Sequence, residues 1–399
     1  MRSLCGFLLA ILCCAANATP SGTTAHDSPP LMTGAEQTEK YLPLLQGKRV
    51  GLLVNQTSLI GEQHLVDVLL ANNIKVAAIF APEHGFRGNH DAGAKIASGR
   101  DEQTGIAVWS MYGESKKPAA EQLQQLDIII FDIQDVGVRY YTYISSMHYM
   151  MAAAAEFAIP MLILDRPNPN GAHVDGPVLD LAFQSFVGMH PIPLLHGMTV
   201  GELALMIKGE GWIANASKLP LTVIPVANYR REQPYDLPIP PSPNLPNQQA
   251  VKLYPSLGFF EATPLSVGRG TPFPFQVLGY DRFATDGFAF TPVSTPGAAL
   301  TPPLMNKQVY GEDLRRVSSN GLTLTYLMRW HQLFTANVSE LFSAPGFMDR
   351  LAGTDQLRLQ ILAGLNEAEI RQSWQPALQR FREQRLPYLL YPDFIAEHP

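Results

Sequence analysis

The stretch VAAIFAPEHGFRG, Val76 to Gly88, decides how this chain is read. Its first half, Val76 to Phe80, is apolar without interruption, as a strand buried on both faces must be. Pro82 disfavours helix at Ala81, and Gly85 and Gly88 permit a tight, exposed turn. The second half therefore sets Glu83, His84 and Arg87 on a loop at the end of a rigid strand, where reactive groups are commonly held. The plainer reading of the same residues is a polar loop in which Glu83 and Arg87 form a surface ion pair.

The same grammar recurs on either side. Val50 to Val54 is a strand-like run ending in Asn55-Gln56-Thr57, followed by a helical pattern through Leu65, Val66, Val68 and Leu69. After Val76 to Phe80 come a shorter strand, Ile106 to Met111, and a polar helix, Ala119 to Leu126. Asp127 to Phe131 is the next strand, and it ends in DIQDVGVRYYTY, Asp132 to Tyr143. A helix from Tyr143 to Phe157 leads to the strand Met161 to Leu164, which ends in Asp165-Arg166-Pro167-Asn168. Strands alternating with helices predict an α/β fold: a mostly parallel sheet with helices on both faces. Ligands of such sheets bind beyond the carboxyl ends of the strands. Asn55, Glu83 with His84, Gln134 to Arg139, and Asp165 to Asn170 all fall on that rim, which predicts one shared cleft.

Beyond Asn170 the alternation loosens. Thr199 to Lys208 reads as a helix with Thr199 as N-cap and Glu202 closing a capping box, so Glu202 has a structural explanation. Leu221 to Val226 is a further strand. Pro234 to Pro246 is proline-dense and suits a linker or a wall of the cleft. Tyr254 to Gly279 is aromatic and glycine-rich and contains Glu261, Arg269 and Phe275, and Leu351 to Arg382 is mostly helical. The expected division is a catalytic domain over 34–250 and a smaller C-terminal α+β domain over 251–399.

The first 18 residues have the form of a secretory signal: Arg2, an apolar stretch from Cys5 to Ala15, and the small-residue pattern Ala16-Asn17-Ala18. Residues 19–33 are expected to form a mobile leader. All three cysteines, Cys5, Cys13 and Cys14, lie in the signal. The exported chain would then carry no disulfide, no thiolate nucleophile and no cysteine metal site. Secretion follows, into the periplasm if the source has two membranes. The formal charge is −6 and no basic tract is present, which argues against a nucleic-acid partner. No stretch after the signal is long and apolar enough for a membrane span.

Several signatures are missing. No glycine-rich dinucleotide fingerprint opens the first helix, and there is no phosphate-binding glycine-lysine loop, no GxSxG and no HExxH. Glu83, His84, His90, Asp91, Asp132 and Asp135 lack regular ligand spacing, so no metal or other cofactor is expected. The carboxylates suit acid–base work. Glycoside cleavage needs a proton donor for the departing oxygen and usually a second carboxylate. Glu83 is the expected donor, with Phe80 and Phe86 flanking it and holding its proton on. Asp132 and Asp135 compete for the second role, with Asp135 nearer the loop tip and one of the two capping the following turn. Arg139 and Tyr143 share a helix face, and with Tyr140 they offer a cation and flat hydroxylated rings to a sugar. Asp165, Arg166 and Asn168 form a further polar group. Arg269 lies between Gly268 and Gly270, and His196 precedes the Thr199 helix and would line the cleft.

The motifs GLLVNQTSL (Gly51 to Leu59), APEHGFRG (Ala81 to Gly88), FDIQDVGVRYYTY (Phe131 to Tyr143), LDRPNPNG (Leu164 to Gly171), PSPNLP (Pro241 to Pro246), SVGRGT (Ser266 to Thr271) and LAGTD (Leu351 to Asp355) resemble, in order, those of the NamZ-type exo-β-N-acetylmuramidases. The resemblance implies a Rossmann-like catalytic domain, a smaller C-terminal domain and a cleft at their interface. It also implies release of terminal N-acetylmuramic acid from the non-reducing end of peptidoglycan fragments, MurNAc–GlcNAc oligosaccharides or muropeptides, with Glu83 as the catalytic glutamate. The lactyl carboxylate of that sugar would suit Arg139, Arg166 or Arg269 through paired, charge-assisted hydrogen bonds. The chain departs from the pattern in Leu257 to Ala262 and in the loop Phe288 to Val309. An esterase or amidase acting on wall material, and a sugar-binding protein without turnover, are the competing readings.

Overall fold

The computed structural model describes residues 29–83, 85–86, 99–113, 116–283 and 287–393. The signal, most of the expected leader, and His84, Arg87, His90 and Asp91 lie outside the described residues.

A seven-stranded sheet organises the chain: β1 (Arg49–Val54), β2 (Lys75–Ala81), β3 (Gly99–Arg100), β4 (Ala107–Ser110), β5 (Ile128–Asp132), β6 (Met161–Leu164) and β7 (Leu221–Ile224). Their spatial order is β7-β6-β5-β1-β2-β4-β3, and every pairing is parallel except β3 with β4. The chain runs outward from β1 through β2 to β4, then returns to β5 on the other side of β1 and runs outward again. The switch point of this doubly wound sheet lies between β1 and β5.

Side-chain alternation explains why the strands are apolar throughout. Val50, Leu52 and Val54 of β1, with Ile128 and Ile130 of β5 and Leu162 and Leu164 of β6, face one layer. Leu53, Ile129, Phe131 and Ile163 face the other. The first layer is covered by the helices Thr38–Leu45 and Leu65–Ala71. The second is covered by Tyr143–Glu156 and Val200–Gly209. The helix Tyr143–Glu156 is buried almost all round, because the C-terminal part packs on its far side. Val200–Gly209 is capped as expected, with Thr199 accepting from the Glu202 amide and Glu202 from the Thr199 amide.

The C-terminal part includes the helix Gln248–Leu257. It adds an antiparallel sheet of Val277–Tyr280, Phe288–Phe290 and Val309–Asp313 and four helices between Thr325 and Arg385. Its Trp330, Phe334, Met348, Trp374 and Phe381 join the same apolar core as Phe131 and Met147, so the core is continuous across both parts.

The end of the expected leader is held in the fold. Met32 and Ala227 exchange backbone hydrogen bonds of 3.2 and 2.8 Å, and Thr33 is buried. This anchors the chain beside β7 before the end of the expected leader. None of the described helices is long and apolar enough to cross a membrane.

Candidate active site

A cleft of about 230 Å³ opens between the carboxyl rim of the sheet and the C-terminal part. Glu83, two residues past β2, lines it. Tyr140, Tyr141, Thr142 and Tyr143, from the loop after β5 and the start of its helix, form one wall. Ser242, Asn244 and Leu245 of the proline-dense segment form another, and Tyr254, Glu261, Arg269 and Phe275 close the C-terminal side.

Glu83 is half-buried, and its Oε2 receives the Thr142 hydroxyl at 3.3 Å. The Tyr112 phenol is raised above its ordinary range by burial, by the charge of Glu83 and by a hydrogen bond to it. The Tyr143 phenol is also raised, by burial first and the Glu83 charge next, while hydrogen bonds from Asn55 and Tyr141 act the other way. Glu83 thus sits among hydroxyls inside a hollow. Its aromatic surroundings are Tyr112 and Tyr143; neither Phe80 nor Phe86 lines the cleft, and the Phe86 ring packs edge-on to His64 at 4.8 Å.

The rings form a continuous cage. Tyr254 meets Tyr140 at 5.1 Å and Phe275 at 5.0 Å between centroids, both nearly perpendicular. The Tyr140 hydroxyl donates to the Tyr254 and Pro255 carbonyls, at 2.9 and 2.8 Å, so only its ring is offered to a ligand. Asn55 lies behind Tyr143, its own Oδ1 taken by the Thr57 amide and hydroxyl.

Several expected ligand contacts are structural instead. Asp135 does not line the cleft. It is buried, its Oδ2 accepts the Gly137 amide at 2.6 Å, and burial raises its pKa to about 7. It therefore caps the turn and is not placed to meet a sugar. Arg139 is wholly buried and donates to the carbonyls of Pro177, Ile192, Leu351 and Ala352. Those acceptors come from the strand Asp175–Val178, from Ile192 just before the strand Pro193–Leu195, and from the helix Pro345–Ala352, so Arg139 ties the two parts together. Arg166 is paired with Asp132 at 2.6 and 3.0 Å and faces a separate hollow of about 180 Å³ with Thr57, Gln134 and Tyr235.

Asp165 accepts from the Thr199 and Tyr391 hydroxyls and the Gly201 amide, fastening the Val200 helix and the chain end to β6. Asn168 bonds the Met198 carbonyl and the Asn170 amide. His196 is buried away from the cleft, accepts the Met198 amide and is held neutral, its pKa pushed down to about 3 chiefly by burial. Among the described residues no cluster of three histidine, aspartate, glutamate or cysteine side chains could hold a metal.

Of the residues read from sequence, the cleft brings together Glu83, Tyr140, Tyr143 and Arg269. The ones missed follow two patterns. Tyr112 stands just past β4, so the strand-rim rule that found Glu83 also covers it, and Tyr141 and Thr142 lie inside a motif already singled out. Phe186 and Val187 come from a long connection with no local signal.

A doubly wound α/β fold with two glutamates, Glu83 and Glu261, lining an aromatic cleft is the setting of an enzyme of the glycosidase class. The chain belongs to the exo-β-N-acetylmuramidase NamZ family, whose N-terminal model matches residues 50–249 and whose C-terminal model matches 252–391. It is 39% identical over 404 residues to the peptidoglycan β-N-acetylmuramidase NamZ of Bacillus subtilis, covering 94% of this chain and 95% of that one. Two crystal structures of DUF1343 family proteins from Bacteroides fragilis share the fold. One is 46% identical with a TM-score of 0.84, the other 28% identical with a TM-score of 0.78. Each match covers 91% of this chain and 99% of the other.

Proposed function

We propose that this enzyme releases terminal N-acetylmuramic acid from the non-reducing end of peptidoglycan fragments, with Glu83 as the general acid. The observation that carries the reading is the Glu83 carboxylate inside the cleft, with hydroxyls of Thr142 and Tyr112 against it. A protonated Glu83 hands its hydrogen to the departing glycosidic oxygen as the C1–O bond breaks, and water supplies the new hydroxyl at C1. Thr142 and Tyr112 fix the carboxyl in the orientation that transfer needs.

The size of the cleft favours an exo mode. Its volume falls below the usual range for drug-sized ligands. Tyr254, Phe275 and Glu261 line its C-terminal side, and the small volume suits a single sugar residue. The edge-to-face rings give a sugar its apolar face.

The amino-terminal signal pattern supports export, with cleavage after Ala18, to where wall fragments are met. Sequencing the amino terminus of protein recovered from cells tests this; a chain still beginning at Met1 would count against it.

Chromogenic β-linked N-acetylmuramic acid and N-acetylglucosamine glycosides, together with a defined MurNAc–GlcNAc oligomer, test the activity. Release of single muramic acid residues from the oligomer is expected. Internal cleavage would remove the exo reading, and binding without release would remove the enzyme.

A further inference from the structure

Arg269 is the one arginine among the described residues that line the cleft, and the loop that carries it is tightly packed. Gly268 and Gly270 on either side have φ of +82° and +77°, in the left-handed region that favours glycine. A Cβ on Gly268 would meet the Phe273 carbonyl at 2.9 Å, and one on Gly270 the Val293 carbonyl at 2.4 Å. Phe275, over whose ring the Arg269 guanidinium lies at 5.1 Å, is buried with φ of +56°, an outlier for a bulky residue. Strained backbone of this kind persists where the surroundings over-determine it, and it clusters at ligand sites.

The guanidinium is half used. Its Nε and Nη2 both donate to Glu261 Oε1, at 2.9 and 2.6 Å. Nη1 makes no hydrogen bond to any described residue. Burial works against the charge, yet Glu261 outweighs it and keeps Arg269 firmly protonated. Glu261 therefore occupies one edge of the planar fork and leaves the Nη1–Nη2 edge unclaimed by any described residue. That edge matches a carboxylate in the paired geometry arginine offers best.

We infer that Arg269 is the specificity residue of this cleft: its Nη1–Nη2 edge receives the lactyl carboxylate of the muramic acid, and Glu261 is the positioning residue that aims it. The inference rests on the muramidase reading above. Arg139 and Arg166 have their guanidinium groups committed elsewhere, to four carbonyls and to Asp132. Glu261 also explains how a cation is kept in the cleft without being left unpaired.

The test compares three chromogenic glycosides on the wild-type enzyme: β-N-acetylmuramic acid, the same sugar with its lactyl carboxylate methylated, and β-N-acetylglucosamine. Esterification is expected to lower kcat/KM by about 10- to 100-fold, mainly through KM, the range of charge-assisted hydrogen bonds. Arg269→Gln should lower the preference for the free acid over the ester to within about threefold, and Arg269→Lys should restore part of it. Glu261→Gln should weaken that preference without abolishing it, because the guanidinium stays but loses its aim. A wild-type enzyme that does not distinguish acid from ester overturns the inference without any variant needing to fold. So does an Arg269→Gln enzyme that keeps the full preference. If the wild type cleaves none of the three, the glycosidase reading fails first, and the two failures are told apart.

Discussion

The Thr142 hydroxyl lies 3.3 Å from Oε2 of Glu83, across 59 positions of sequence. Glu83 stands past the end of β2 and Thr142 at the start of the helix that follows β5. The contact therefore joins two strand ends on opposite sides of β1. A doubly wound sheet makes such meetings: it collects loop residues at one rim, whatever their separation in the chain.

If Glu83 gives the proton, Glu83→Gln should lower kcat by about 10²- to 10⁴-fold on the muramic substrate. Size and polarity are kept, so the thermal midpoint should hardly move. A variant with most of its turnover would place the acid elsewhere.

Thr142→Val removes one hydrogen bond to the carboxylate and leaves the shape. A loss of about three- to tenfold in kcat is expected, from the net worth of a single hydrogen bond of about 1 kcal/mol. The same change in KM alone would mean that Thr142 binds the sugar and not the acid.

Arg139→Met should damage folding and not substrate preference. It strands the carbonyls of Pro177, Ile192, Leu351 and Ala352 in the interior. A loss of at least about 3 kcal/mol is expected in urea unfolding. An unchanged unfolding midpoint with a raised KM would return Arg139 to the ligand.

Asp135 gives stability an unusual slope. Its pKa is raised to about 7 in the fold by burial, so between about pH 4 and pH 7 the folded chain binds more protons there than the unfolded one. The contribution of this group is therefore fully present below about pH 4 and is lost as pH rises toward 7. Asp135→Asn should be more stable than the wild type at pH 8, relative to the same comparison at pH 4. Turnover should stay within about tenfold, since Asp135 does not line the cleft; a 10³-fold loss would make it catalytic.

The buried pair His148 and His190 acts in the other sense. Nδ1 of His148 lies 2.9 Å from Nε2 of His190, and burial pushes His148 down to about 4. Unfolding lets both take up protons, so their contribution is present above about pH 6.5 and lost as pH falls. His148→Gln should flatten the loss of thermal stability between pH 6.5 and 4.5. An acid limb as steep as that of the wild type would assign it to other groups.

Much of this protein was legible from the chain alone. Uninterrupted apolar runs at Val50, Val76, Ile128 and Met161 became parallel strands, because burial on both faces admits little else. The capping box at Thr199 and Glu202 worked through neighbours three residues apart, which sequence displays directly. Glu83 was found because its motif stands at a strand end.

What tertiary structure alone decided was the use of each polar side chain. Arg139, Arg166, Asp165 and His196 looked like ligand contacts, and every one is taken by a structural partner. Arg139 bonds carbonyls up to 213 positions away, and Asp165 meets a hydroxyl 226 positions away. A polar group's free energy depends on which partners and how much water surround it, and those are set only when distant segments close over it. Arg269 kept an open edge because one glutamate covers half of its fork, a fact of geometry that no spacing along the chain records.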